Sequence, residues 1–358
     1  MPSVQGVGPL TATIAVVGEA PGDQEVKELT PFVGAAGKLL NGMLEEAGLR
    51  REDLYLTNIL QEQPHPEGAS SAQRNDFGTL YEDKARRQPS GRLLTAVERL
   101  RLELQQVSPN VIIACGNEAC KWLTGNSGIT DWRGSVLEGL RGVPKVLPTY
   151  HPAAILRQWD WRPIAVFDLK KARQEALQPT IARRVRTITV GEEIGQVMAY
   201  LTQMRGMPVA FDIEVETQQI SSLALAWSAA EALVIPIFWG PHGSKWAPKD
   251  ELLIWQTVGD LFASTPTIGQ NVHYDLTFLK HYDVYAKQLY MDTMVAFHVL
   301  YPELPKGLEF MTSLYTDQPY YKWMRTTSDE QEFHRYNGLD ALVTYECAQR
   351  IEEELKEA

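Results

Sequence analysis

The stretch Val209–Glu216, V-A-F-D-I-E-V-E, sets apolar residues and acids at alternate positions. A β-strand sends successive side chains to opposite faces, so Phe211, Ile213 and Val215 face a core while Asp212 and Glu214 share the other face, about 7 Å apart. Two carboxylates held side by side repel each other, and a divalent cation relieves that repulsion most directly. Hard oxygen ligands of this kind suit magnesium or manganese. Two further acidic stretches follow in order, N-V-H-Y-D at residues 271–275 and Y-N-G-L-D at residues 336–340. The first leads into a helix with Leu276, Phe278 and Leu279 on its apolar side. In the second, Tyr336 and Asp340 stand four apart on one helix face.

The three stretches, read as D-x-E, N-x-x-Y-D and Y-x-x-x-D, resemble the motifs of the DEDDy family of 3'-5' proofreading exonucleases. The likeness takes in Ile268-Gly269-Gln270, Met291-Asp292-Thr293-Met294 and Gly307-Leu308-Glu309-Phe310 with Leu314-Tyr315, which look like the proofreading domain of family A DNA polymerases. It covers residues 188–358 and implies a ribonuclease H-like, mixed-sheet exonuclease domain. It also implies two-metal hydrolysis, with Asp212, Glu214, Asp275 and Asp340 holding two Mg2+ or Mn2+ ions about 3.5–4 Å apart, and Tyr336 orienting the attacking water. The substrate implied is a single-stranded or frayed DNA 3' end, because a deep carboxylate site does not reach phosphates inside a duplex. The strands at residues 220–227 and 232–237 are both expected antiparallel to the first. Asp292 is assigned to a helix N-cap rather than to metal. His273, His281, His298 and His334 are assigned to packing or surface, there being no zinc spacing.

With 358 residues the chain is long for one domain and suggests two. A hydrophobic content of 44% with 22% charged residues describes a globular chain. No apolar run is long enough to span a membrane, and no basic-then-apolar leader follows Met1, so a cytoplasmic setting (nucleoid or infected cell) is expected. Three cysteines, Cys115, Cys120 and Cys347, are too few for a disulfide framework. The net charge of −11 excludes a protein that binds nucleic acid by bulk positive charge, while leaving room for an enzyme that holds metal between carboxylates beside a local basic groove.

In the first half, the β-rich run at residues 11–18 opens into G-E-A-P-G-D-Q-E (18–25), the kind of turn that presents a site at the carboxyl edge of a sheet. A helix with Leu39, Leu40, Met43, Leu44 and Ala47 at helical spacing ends at Gly48. Strands at 54–58, 111–114 and 145–149 alternate with a helix at 93–106, and residues 62–91 read as a long surface excursion. The alternation predicts an α/β fold whose largely parallel sheet is covered on both faces.

The motifs G-E-A-P-G-D-Q-E, P-F-V-G-A-A-G-K-L-L (31–40), Y-L-T-N (55–58) and H-P-A (151–153) together resemble the family 4 uracil-DNA glycosylases. This resemblance implies a parallel-sheet α/β sandwich, taken as residues 1–178, that holds a flipped uracil. In it Phe32 stacks on the base, Asn58 pairs with the N3 and O4 edge, and His151 donates a hydrogen bond to O2. Glu25 would aim water at C1', with Asp23 and Glu19 behind it, and Gly22 and Gln24 complete the base-binding turn. Family members carry four cysteines for an iron-sulfur cluster. Here the first pair is missing and Glu62 stands where the third would be, so no cluster is expected, and residues 64–91 are expected to take over its structural work. Residues 178–187, with Arg183, Arg184 and Arg186, read as a solvated linker, or alternatively as a phosphate contact. Trp159 and Trp161 read as packing at the domain seam.

The combined expectation is a DNA repair or replication enzyme that joins uracil excision to 3'-5' exonucleolytic hydrolysis. The alternative is a proofreading module for a DNA polymerase, with a glycosylase-like domain that only binds DNA.

Overall fold

The run Ile14–Gly18 forms β1, and all of it is buried, as a β-branched strand covered on both faces must be. The computed structural model describes residues 2–65, 76–83, 88–239 and 243–357. They fold as two compact units, Met1–Ala182 and Arg183–Ala358. In the first, β1 is joined by β2 (Tyr55–Asn58), a short antiparallel pair β3 (Tyr81–Asp83) and β4 (Gln88–Pro89), β5 (Val111–Cys115) and β6 (Lys145–Thr149). Among the described residues the main sheet is four-stranded, β2-β1-β5-β6, and parallel throughout. One face packs on helix Gly91–Val107, whose Leu93, Leu100 and Leu104 meet Ala15, Val17, Ile112 and Ala114. On the other, helices Ala35–Glu46 and Trp161–Glu175 pack together, the second also against β5 and β6.

The expected surface excursion at 62–91 needs correction. Residues 66–75 and 84–87 lie outside the described residues, but Phe77, Leu80 and Tyr81 are buried in the same core as Leu93. Trp161 stacks on Tyr150 within this unit at 4.2 Å between ring centroids, and Trp159 is exposed.

The second unit holds β7 (Thr187–Val190), β8 (Val209–Glu216), β9 (Gln219–Ala226), β10 (Glu231–Pro236), β11 (Thr267–Gly269) and β12 (Leu289–Asp292). Among the described residues these form one mixed sheet, β12-β11-β8-β9-β10-β7. β9 runs antiparallel to β8, as expected. β10 is antiparallel to β9 and therefore parallel to β8, which corrects the expectation that both oppose the first strand. On β8, Phe211 and Ile213 join a core with Ile254, Val258, Leu261 and Phe262 of helix Pro248–Ser264, and the Phe211 and Phe262 rings lie 5.0 Å apart. The opposite side of β8 and β9 packs on the long helix Glu330–Glu357.

The segment expected to be a solvated linker is exposed over residues 177–180 and 182–185, with Arg186 the exception. The Arg186 side chain is 6% exposed and forms 2.6 Å ion pairs with Asp317 and Glu346. That guanidinium is committed within the unit and does not serve as a phosphate contact. Asp292 caps helix Thr293–Leu300 through the Met294 amide, as read from sequence. No helix among the described residues is long and apolar enough to cross a membrane.

Candidate active sites

The first site lies where the parallel strands end. β1 runs out at Gly18-Glu19, β2 at Asn58, and β6 into Tyr150-His151. Carboxyl edges of parallel sheets place loops around a common crevice in this way. Here the crevice is a cavity of about 460 Å³ lined by Glu19, Gly22, Glu25, Phe32, Asn58 and His151, together with Tyr150, Arg157 and Trp161. Gly18 is a place of close approach, because a Cβ there would clash with the Asn58 amide oxygen and come within 2.7 Å of the Phe32 ring.

Phe32 is buried and carries φ 55°, the left-handed region. Backbone strain of this kind persists only where neighbours over-determine it. Arg51 donates to the carbonyls of Phe32 (2.9 Å) and Pro31 (2.7 Å), while the next two amides, Val33 and Gly34, donate to Glu25 Oε1 at 3.1 and 2.9 Å. Glu25 thus shapes the Phe32 loop. Its Oε1 is engaged by backbone, and Glu25 lines the cavity as well. Asp23 and Gln24 are exposed and outside the cavity lining. Asp23 accepts from Gln63, and Gln24 donates to Glu28.

Glu19 is the second carboxyl of the cavity lining. Burial, and then the nearby Glu118 charge, push its pKa up to about 7. His151 Nδ1 accepts from the Ala153 amide at 3.1 Å, which leaves the proton of the neutral ring on Nε2. Burial, then Arg157, push the His151 pKa down to about 4, so the ring is neutral at ordinary pH. Two residues earlier, at the end of β6, Thr149 Oγ1 donates to Asp168 at 2.8 Å and Asp168 pairs with the buried Arg133. The Phe32 and His151 rings lie 6.4 Å apart. A four-thiolate cluster does not fit this donor set: the sequence has three cysteines, Cys347 belongs to the second unit, and burial raises the thiol pKa values of Cys115 and Cys120 to about 12 and 11.

The second site gathers Asp212 and Glu214 from β8 with Asp340 from the long helix. One oxygen from each lies within 4.8 Å of the others. Asp212 is pushed well above the ordinary carboxylate range by burial, then by Asp340, Glu214 and Asp275. Glu214 is pushed up to about 8 by burial and then Asp340. Mutual repulsion in a desolvated cluster of hard oxygens is what a divalent ion relieves, so the donor set fits Mg2+ or Mn2+. Asp275 stands apart from this trio. It accepts from the Ile213 amide at 3.2 Å, and burial brings its pKa to about 7. Tyr336 is buried beside Asp340.

Three residues here went unread. Asn337, fully buried, donates to Asp212 Oδ2 at 2.7 Å and accepts from Ser222 at 2.8 Å. Tyr321 donates to Asp340 Oδ1. Lys322 reaches both oxygens of Asp340, at 2.7 and 2.6 Å. Asn337 lies inside the quoted Y-N-G-L-D stretch, one turn before Asp340, and could have been found there; Tyr321 and Lys322 lie outside every motif.

Residues 5–178 match the family model described as the uracil DNA glycosylase superfamily. The type-4 uracil-DNA glycosylase of Thermotoga maritima is 36% identical over 174 residues, which is 48% of this chain and 81% of that protein. A DNA polymerase of Bacillus phage SP01 is 30% identical over 220 residues, covering 59% of this chain and 22% of that protein. That share exceeds what either unit contains, so the match draws on both. Among solved structures, Brucella melitensis NrnC bound to pGG aligns over 49% of this chain and 83% of that chain at 18% identity with a TM-score of 0.34, too weak a likeness to bear on mechanism.

Proposed function

The chain belongs to the uracil DNA glycosylase superfamily through residues 5–178 and is a DNA-acting hydrolase, and from that premise we propose that it excises uracil from DNA with its first unit and hydrolyses DNA from 3' ends with its second. The observation that carries the first activity is the convergence of Phe32, Asn58 and a neutral His151 on one cavity. A uracil turned out of the stack rests on Phe32 and presents its N3 and O4 edge to the Asn58 amide. As the glycosidic bond breaks, charge grows on the base, and His151 Nε2–H donates to O2. The Glu19 carboxylate aims water at C1'.

In the second unit Asp212, Glu214 and Asp340, with Asp275 beside them, would hold divalent ions, which when bound supply Lewis-acid stabilisation of the cleaved phosphodiester. Tyr336 orients the attacking water, and Asn337 keeps Asp212 in its rotamer. The test is a 5'-labelled single strand with one internal uracil, incubated with excess chelator and then hot alkali. The expected result is one break at the uracil and none in a thymine control, with 3' digestion appearing once Mg2+ is restored. Intact uracil strands under chelator would leave a first unit that binds bases without cutting them.

The phage SP01 match favours a second reading, in which the pair of units serves a DNA polymerase as its proofreading module. Capture of a polymerase with the purified chain would support it.

A further inference from the structure

Lys322 opens a short turn, Lys322–Thr326, directly after the buried Tyr321. Its ammonium lies 2.7 and 2.6 Å from the two oxygens of Asp340, 3.3 Å from the Tyr336 hydroxyl, and 4.9 Å from the centre of the Tyr336 ring. The side chain is 19% exposed and that of Asp340 5%. A lysine this far withdrawn from water is not an incidental surface partner. Burial alone would lower its pKa, yet the charge of Asp340, its hydrogen bond and the charge of Asp212 outweigh that and raise it.

We propose that Lys322 is a built-in cation of the acidic site, holding Asp340 until a divalent ion enters and displaces the ammonium from that carboxylate. The inference rests on the reading that Asp212, Glu214 and Asp340 hold divalent ions. Three points carry it. The ammonium takes both oxygens of Asp340, the face a metal ion would use. The Tyr321 hydroxyl occupies Oδ1 as well, so Asp340 has little acceptor capacity left for an added ligand while Lys322 stays. And the ligand oxygens of Asp212 and Glu214 lie within 4.8 Å of that of Asp340, which would put an ion among them and the ammonium close enough to repel. Lys322 therefore quenches the repulsion among the acids and, by the same contact, lowers the site's affinity for the ion. Ion binding becomes an exchange of one cation for another.

Mn2+ binding to the full chain, followed by the electron paramagnetic resonance of the free ion, tests this without reference to activity. Lys322→Met, which keeps length and removes charge, should bind Mn2+ at least tenfold more tightly, and Lys322→Arg should stay near wild type. Equal or weaker binding by Lys322→Met, with clear binding by wild type, overturns the proposal. No Mn2+ binding by either protein would overturn the metal-site reading itself. Should Lys322→Met fail to fold, acylation of Lys322 in the wild-type chain, read by mass spectrometry, decides. Labelling should rise as Mn2+ saturates the site, and labelling indifferent to Mn2+ overturns the exchange.

Discussion

Glu19 and His151 face the same cavity with pKa values moved in opposite senses, one up to about 7 and the other down to about 4. Burial drives both shifts, because it disfavours whichever form is charged. The consequence for excision has a definite sign. If the Glu19 carboxylate aims water, activity is low when it is protonated and rises as pH passes upward through about 7. His151 stays neutral throughout that range and adds no limb. Excision measured in chelator from pH 5.5 to 9 should show this single ascending limb, and Glu19→Gln should lose rate and flatten the profile. A Glu19→Gln profile that keeps the limb would remove Glu19 from the reaction. His151→Ala removes the donor to O2 and should slow excision by about 10²–10³-fold, as loss of one such donor does elsewhere, while leaving 3' digestion unchanged. That His151 and Asn58 line one cavity was legible, because their motifs carry them. The backbone contact of residues 33 and 34 with Glu25 Oε1 was not, because it depends on how the loop closes on that carboxylate.

The Phe32 loop is an element held by distant parts of the chain. Arg51 clamps it through two carbonyls and also donates to Asn41 at 2.9 Å, while Glu25 receives the next two amides. Without the clamp a left-handed phenylalanine relaxes. Arg51→Ala should therefore raise KM for uracil-containing strands by about tenfold, the scale of losing a charged hydrogen bond or two, with a smaller change in kcat. A fall in kcat alone, with KM intact, would deny the loop its positioning role. At this scale the sequence is most readable where periodicity does the work. The alternation in Val209–Glu216 sends Phe211 and Ile213 into one core and Asp212 and Glu214 to the other face, as observed. The Asp292 cap is likewise local and was legible. Strand direction was not, since a hydrophobic pattern fixes the face of β10 but says nothing of its sense. Nor was the burial of Arg186, whose partners Asp317 and Glu346 stand 131 and 160 positions away.

Across the whole molecule, each site draws its residues from one unit, and each unit has its own sheet and core. Substitution in one site should leave the other working. Asp212→Asn is the sharpest case, because it keeps the side chain's shape and an oxygen for the Asn337 amide while removing one of the mutually repelling charges. It should abolish ion-dependent 3' digestion and leave uracil excision in chelator at the wild-type rate. It should also stabilise the second unit. The wild-type carboxylates are held together against burial and one another, a strain that serves ion binding and opposes folding. Relief of about 1 kcal/mol raises Tm by roughly 2–4 °C in a domain of 150–250 residues. Mn2+ should do the same for wild type by mass action, adding about 2.7 kcal/mol at a hundred times Kd, and should do much less for Asp212→Asn. Thermal unfolding of both proteins, in chelator and with Mn2+, separates the outcomes. A variant less stable than wild type in chelator would mean that Asp212 is held by favourable contacts rather than against repulsion. A variant still stabilised fully by Mn2+ would place the ion elsewhere.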